Sequence, residues 1–174
     1  MNVHNPHPQN QWSDATRAVH ADETAAKPFH AIVDAIVPSA TYTFDNYEDI
    51  QQYIQDQQNG TPSDRLDYGR YGNPTVQAVE SRLAALEGGQ AAILLASGMA
   101  AITTTLLTFL QQGDHIILTD DCYRRTRDFG TQFLRKFGIQ HTQVPIGNPA
   151  ALEAAIQPNT RLILSETPTN PYLR

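Results

Sequence analysis

Residues 91–119 read AAILLASGMAAITTTLLTFLQQGDHIILT. Residues 91–96 are a continuous apolar run of strand length, Ser97-Gly98 is a turn pair, and residues 99–110 are apolar with interspersed threonines. Gln112-Gly113-Asp114 punctuates the chain again, and residues 115–119 form a second short apolar run. Short apolar runs bounded by turn residues read as strands buried on both faces. Strand, turn, helix, turn, strand is the repeating unit of a parallel α/β sheet. Residues 91–110 carry no charge and are long enough to cross a bilayer. Ser97, Gly98 and the threonines at 103, 104, 105 and 108 interrupt them, and favour a strand, a turn and a buried helix over a membrane span.

The same alternation continues outward. A helix is predicted over residues 124–137, stopped by Gly138, then a strand over 139–144, a helix over 149–156 and a strand over 161–165. Upstream, Asn73 can cap a helix whose first turn holds Pro74. Val76, Val79, Leu83 and Leu86 make its apolar stripe, and Gly88 ends it. The order is β-α-β-α-β-α-β, an α/β class with an incomplete, mostly parallel sheet and helices on both faces, spanning 73–174. Residues 1–72 read as an extended N-terminal arm. Within it, 1–14 form a polar tail, and 46–58 can form a short helix with Tyr47, Ile50, Tyr53 and Ile54 at helical spacing.

Composition removes several function classes. Twelve basic and eighteen acidic residues give a net charge of −6, without the basic footprint that nucleic acid demands. One cysteine, Cys122, excludes a disulfide framework and a cysteine-based zinc site. His4 and His7 lie in the tail, and His115 and His141 lie in strands, so no metal-ligand cluster forms. There is no G-x-G-x-x-G, no phosphate-binding G-x-x-x-x-G-K-[ST] and no G-x-S-x-G. No basic region followed by an apolar run opens the chain, so no secretory leader is read there and a cytoplasmic protein is expected.

Parallel sheets bind ligands beyond the carboxyl ends of their strands. That selects Ser97-Gly98-Met99, Asp120-Asp121-Cys122-Tyr123 and the stretch from Glu166 to Asn170. Backbone N–H groups at Gly98 and Met99 suit an anion at a helix N-terminus, or form an ordinary tight turn. Tyr68 and Arg70, two apart in an extended segment, point the same way and can grip a phosphate, or belong to a solvated arm. Tyr123 can cover a flat ligand or pack on the surface. Arg124, Arg125 and Arg127 can hold an anionic substrate or form a solvated helix face. Pro168 and Pro171 stiffen the backbone around Glu166 and Asn170, or simply make a rigid turn.

In order and spacing these motifs are more specific than any one of them. Tyr68-Gly69-Arg70-Tyr71-Gly72-Asn73-Pro74-Thr75, Leu86-Glu87-Gly88 and Ala96-Ser97-Gly98-Met99-Ala100-Ala101 resemble the pyridoxal-phosphate enzymes of cysteine and methionine metabolism. Asp121-Cys122-Tyr123-Arg124-Arg125-Thr126-Arg127 and Ser165-Glu166-Thr167-Pro168-Thr169-Asn170-Pro171 resemble the cystathionine γ-synthase type in particular. The resemblance covers about residues 15–174. It implies the first part of an aminotransferase-like large domain over 73–174, preceded by an oligomer-contacting segment over 15–72.

It also implies roles. Tyr68 and Arg70 would bind the cofactor phosphate of a neighbouring subunit across a dimer interface, while Gly98 and Met99 bind that of their own. Tyr123 would stack on the pyridine ring and help move protons, and Asn170 would hydrogen-bond the ring's 3-oxygen. Glu166 would support that region or contact substrate. Arg124, Arg125 and Arg127 would help hold the anionic group of an activated homoserine ester, which cysteine displaces to give cystathionine. Sulfhydrylases, γ-lyases and β-lyases share most of these motifs. The family's lysine that bonds the cofactor, and the aspartate that pairs with its ring nitrogen, would lie beyond residue 174; Lys27 and Lys136 match neither. The expectation is therefore an N-terminal part that is inactive alone and needs a C-terminal half, or a non-catalytic remnant that binds a phosphate or a partner chain. By the same analogy the strand at 91–96 would lack a sheet neighbour, while those at 115–119, 139–144 and 161–165 lie side by side.

Overall fold

Asparagine and serine side chains open four of the helices in the computed structural model, which describes residues 12–20, 30–61, 63, 65–170 and 173. In chain order the helices are α1 (Asp14–His20), α2 (Tyr47–Asn59), α3 (Pro74–Glu87), α4 (Gly98–Phe109), α5 (Arg124–Asp128) and α6 (Pro149–Ala155). The strands are β1 (His115–Thr119), β2 (Gln140–Val144) and β3 (Thr160–Leu164). Asn46, Asn73, Ser97 and Asn148 each accept a first-turn N–H, at 2.8–3.1 Å. Gly88 and Gly138 close their helices in the left-handed conformation, with φ of 66° and 75°.

The chain divides into two compact units, Met1–Leu94 and Leu95–Arg174. The second is built on a parallel sheet of order β2-β1-β3. Central β1 is buried along its whole length. Its Ile116 and Leu118 pack into one core with Leu106 of α4, Leu110 just after that helix, Leu134 and Ile139. His115 lies on the opposite face, its two ring nitrogens 2.8 Å from Thr160 Oγ1 and 2.9 Å from Thr142 Oγ1. Burial, and then the nearby His141, pushes the His115 pKa below the ordinary histidine range.

In the unit Met1–Leu94, α1 packs on α3. Polar contacts pin the loop at 34–42: Asp34 pairs with Arg82, Val37 N–H donates to Thr75 Oγ1 at 2.9 Å, and Asn73 Nδ2 donates to Val37 O at 2.8 Å. Among the described residues of this unit, Ala84 alone is a buried apolar residue.

The structure corrects several expectations. Residues 91–96 are not a strand. A strand takes its hydrogen bonds from its neighbours, and here Leu94 N–H donates instead to the Glu80 carboxylate at 2.7 Å, leaving Ile93 82% exposed. The helix expected over 124–137 is three pieces: α5, a π turn over Phe129–Phe133 and a 3₁₀ turn over Leu134–Phe137. Gly130 sits against Leu118, where a Cβ would come within 2.8 Å of Leu118 Cδ2, and the wider turn stacks Phe129 on Phe133 at 4.8 Å. The arm contains α1, whose seven residues are too few for a sustained apolar period to announce it. Among the described residues no helix is long and apolar enough to cross a membrane.

Candidate functional site

At the start of α4, Ser97 Oγ accepts from Ala100 N–H at 3.1 Å, and Ala101 N–H begins the helical ladder on Ser97 O at 3.0 Å. The Gly98 and Met99 N–H groups are then the first-turn donors without an acceptor among the described residues. A side chain at Gly98 would meet nothing within 4 Å, so the approach is open. Twelve residues of helix stand behind these donors, and the macrodipole adds partial positive charge.

Tyr123 follows β1 and precedes α5. Its backbone N–H donates to the Glu166 carboxylate, 3.0 Å from both Oε1 and Oε2, and its carbonyl accepts from Arg127 N–H at 3.0 Å. Tyr123 is 42% exposed, and its hydroxyl has no partner among the described residues. Thr126, fully buried one turn on, donates to Met99 Sδ at 3.6 Å. The helix that begins after Tyr123 is thereby seated on the start of α4.

The arginines divide. The Arg127 guanidinium donates to Asp120 O and braces the end of β1. Arg125 is exposed and only loosely paired with Asp128 at 3.8 Å; Arg124 is exposed. Arg125 also lines a cavity of about 320 Å³ beside Met99, with Asp128, Gln132, Phe133 and Lys136. Lys136 Nζ sits 5.9 Å from the Phe133 ring centre, on the flank of the 3₁₀ turn. Lys27 and Pro171 lie outside the described residues.

Asn170 is exposed and follows fully buried Thr169. Cys122 is buried; burial and then the Glu166 charge push its thiol up, which keeps it protonated and unreactive. Sequence reasoning missed Ser97 as the cap and Thr126 as the link to Met99. The serine before Gly98 signals a cap; nothing local signals the Thr126 contact.

Tyr68 and Arg70 belong to the other unit. They lie in a turn, not an extended segment: Tyr68 bridges Thr41, Gly69 N–H donates to Ala40 O at 2.7 Å, and Tyr71 N–H turns back onto Tyr68 O at 2.9 Å. The turn still brings the pair together, with Arg70 Cζ 5.2 Å from the Tyr68 ring centre.

A family model for Cys/Met metabolism PLP-dependent enzymes matches residues 15–174. The chain belongs to that family. Its members use pyridoxal phosphate, and its relatives span several activities. The chain is 38% identical over 165 residues to a chloroplastic cystathionine γ-synthase of Nicotiana tabacum, covering 93% of the chain and 30% of that protein. It is 52% identical over 110 residues to a cystathionine β-lyase of Staphylococcus haemolyticus, covering 63% of the chain and 28% of that protein. A putative O-acetylhomoserine (thiol)-lyase from Campylobacter jejuni, solved with a pyridoxyl-lysine phosphate, superposes with a TM-score of 0.81 at 28% identity, covering 94% of the chain and 39% of that protein. The chain thus spans roughly a third of the length of these relatives. Its residues fit the family's cofactor: two unclaimed N–H donors with an open glycine suit a phosphate, and an exposed tyrosine on the adjoining loop suits a flat ring.

Proposed function

We propose that these residues supply the phosphate-binding and ring-covering part of a pyridoxal-phosphate site that performs γ-replacement, joining cysteine to an activated homoserine ester. The observation that carries this reading is the Thr126–Met99 contact at 3.6 Å, which makes the phosphate donors and the Tyr123 loop one assembly. Gly98 and Met99 hold the phosphate through backbone N–H groups. Tyr68 and Arg70 of a neighbouring copy add a hydroxyl and a guanidinium. Tyr123 covers the ring, and its free hydroxyl carries a proton to or from substrate. Asn170 orients the ring through its 3-oxygen. The cofactor, when bound, supplies the electron sink.

At the substrate γ-carbon a C–S bond forms, the C–O bond to the ester group breaks, and the thiol proton leaves with the departing acid. Arg125, loosely paired and exposed, holds the anionic end of that ester, while Arg127 chiefly braces the loop. The test joins the chain to a C-terminal segment bearing the family's lysine and supplies cysteine with an activated homoserine ester. Cystathionine is the expected product. A second reading, β-elimination from cystathionine, is favoured by the 52% identity to a β-lyase over 110 residues. Pyruvate release from cystathionine outpacing cystathionine formation would select it.

A further inference from the structure

We propose that Glu166 is a positioning residue whose carboxylate fixes Tyr123 by its backbone, and that it is not a substrate contact. The inference rests on the reading of Tyr123 as the ring that covers the cofactor. The ladder between β1 and β3 runs to Leu118 opposite Leu164. Glu166 lies two residues beyond that pair and Tyr123 five, so their backbones are out of register and cannot continue the sheet. The Glu166 side chain bridges the gap. Both of its oxygens are 3.0 Å from the same N–H, turned into the loop. A charge-assisted bond of this kind is about twice as strong as a neutral one.

The rest of the loop is equally constrained. Cys122 is 2% exposed and Thr126 fully buried, so Tyr123 is held between two packed neighbours. Its carbonyl accepts from Arg127 N–H, and the Arg127 guanidinium donates to Asp120 O. Both backbone groups of Tyr123 are engaged while its ring and hydroxyl remain outside. That arrangement defines where the ring stands without obstructing what it covers. It also couples the loops after two neighbouring strands through one side chain.

The test uses the full chain and pyridoxamine 5′-phosphate, a probe that needs no lysine. Two readouts are taken: hydrogen exchange at the Tyr123 amide, and the induced circular dichroism of the bound probe. Glu166→Ala should lower Tyr123 protection about 10- to 100-fold, the range for a hydrogen bond to a charged group, and abolish the dichroic band. Protection at Ile116–Leu118 should stay unchanged, and affinity for inorganic phosphate should change less than about threefold, because Gly98 and Met99 still bind it. Glu166→Gln keeps one acceptor oxygen and should fall between. Glu166→Asp, shorter by a methylene, should resemble the alanine variant. If Glu166→Ala also loosens Ile116–Leu118, the glutamine variant decides on the same two readouts. Unchanged Tyr123 protection and an unchanged band would overturn the proposal. A band that survives Tyr123→Ala would instead remove the ring-covering reading, and failure of the wild-type chain to bind the probe would remove both.

Discussion

Leu95–Arg174 and Met1–Leu94 are held together by different forces. The first closes a core in which Leu106, Ile116, Ile117, Leu118 and Leu134 are fully buried. The second has equally sound helix caps at Asn46 and Asn73, yet Ile32, Ile36 and Ile93 stand more than 80% exposed. Local hydrogen bonds are enough to start and stop helices, but burial of apolar area supplies most of the folding free energy. The caps in Met1–Leu94 therefore fix its local structure, while its described apolar side chains contribute little burial. In Leu95–Arg174 the central strand β1 is buried along its whole length, while β2 and β3 on either side of it are only partly buried.

The largest expected effect breaks that contrast most directly. Leu118→Ala should cost about 2–5 kcal/mol, since it empties the centre of the core beside Gly130. Val79→Ala on half-exposed α3 should stay within about 0.5 kcal/mol. Urea unfolding of both variants checks the pair, and equal losses would remove the contrast. Next comes the proposed contribution of Tyr68 and Arg70 to a neighbouring copy's site. With the lysine-bearing segment supplied, Arg70→Ala should weaken cofactor binding by about 1.5–3 kcal/mol, and should act on the neighbouring copy. Mixing it with a lysine-dead subunit reads this out: activity equal to the Arg70→Ala homo-oligomer would argue against a shared site.

His115 sharpens the contrast through pH. Its folded pKa is lowered, so below pH 6.5 the unfolded chain binds the extra proton first. Stability should be complete above pH 6.5 and fall as pH drops below it, by at most about 1.4 kcal/mol per pH unit, until the folded value is passed. Denaturant midpoints at pH 7.5 and 5.5 measure it, and His115→Gln should flatten the slope. The smallest effect is Asn73→Ala. Losing that cap should cost about 1 kcal/mol and fray the start of α3, visible as faster exchange at Thr75 with no change at Ile116–Leu118.

The strands at 115–119, 139–144 and 161–165 were legible because short apolar runs between glycines and turn residues carry their own boundaries. The helices α2, α3 and α4 were legible too, α3 from its Asn73 cap, α2 from the spacing of Tyr47, Ile50, Tyr53 and Ile54, and α4 from the apolar run after the Ser97-Gly98 turn, although Ser97 was not read as its cap. What was not legible depends on partners far along the chain. Residues 91–96 have strand composition but no neighbour to complete their hydrogen bonds. The break in 124–137 falls where Gly130 meets Leu118, a contact with β1 that no helical pattern encodes. Among candidate site residues, Tyr123 and Asn170 were selected because they follow the strands at 115–119 and 161–165, whereas Gly98 and Met99 were selected behind a strand at 91–96 that does not form, and it is the Ser97 cap that marks their place. The bond from Tyr123 N–H to Glu166 joins positions 43 apart and leaves no local mark. The division among Arg124, Arg125 and Arg127 was equally hidden, because only the fold decides which guanidinium meets Asp120 O.

The most direct measurement is an amide and side-chain NMR titration of the chain with pyridoxamine 5′-phosphate. Saturable shifts at the Gly98 and Met99 amides, together with ring-current shifts at the exposed face of Tyr123, are the expected result. Inorganic phosphate should move the two amides and leave the Tyr123 ring unmoved. Shifts confined to the cavity by Arg125 and Lys136, or none at Gly98 and Met99 at saturating probe, would contradict a cofactor site at the start of α4.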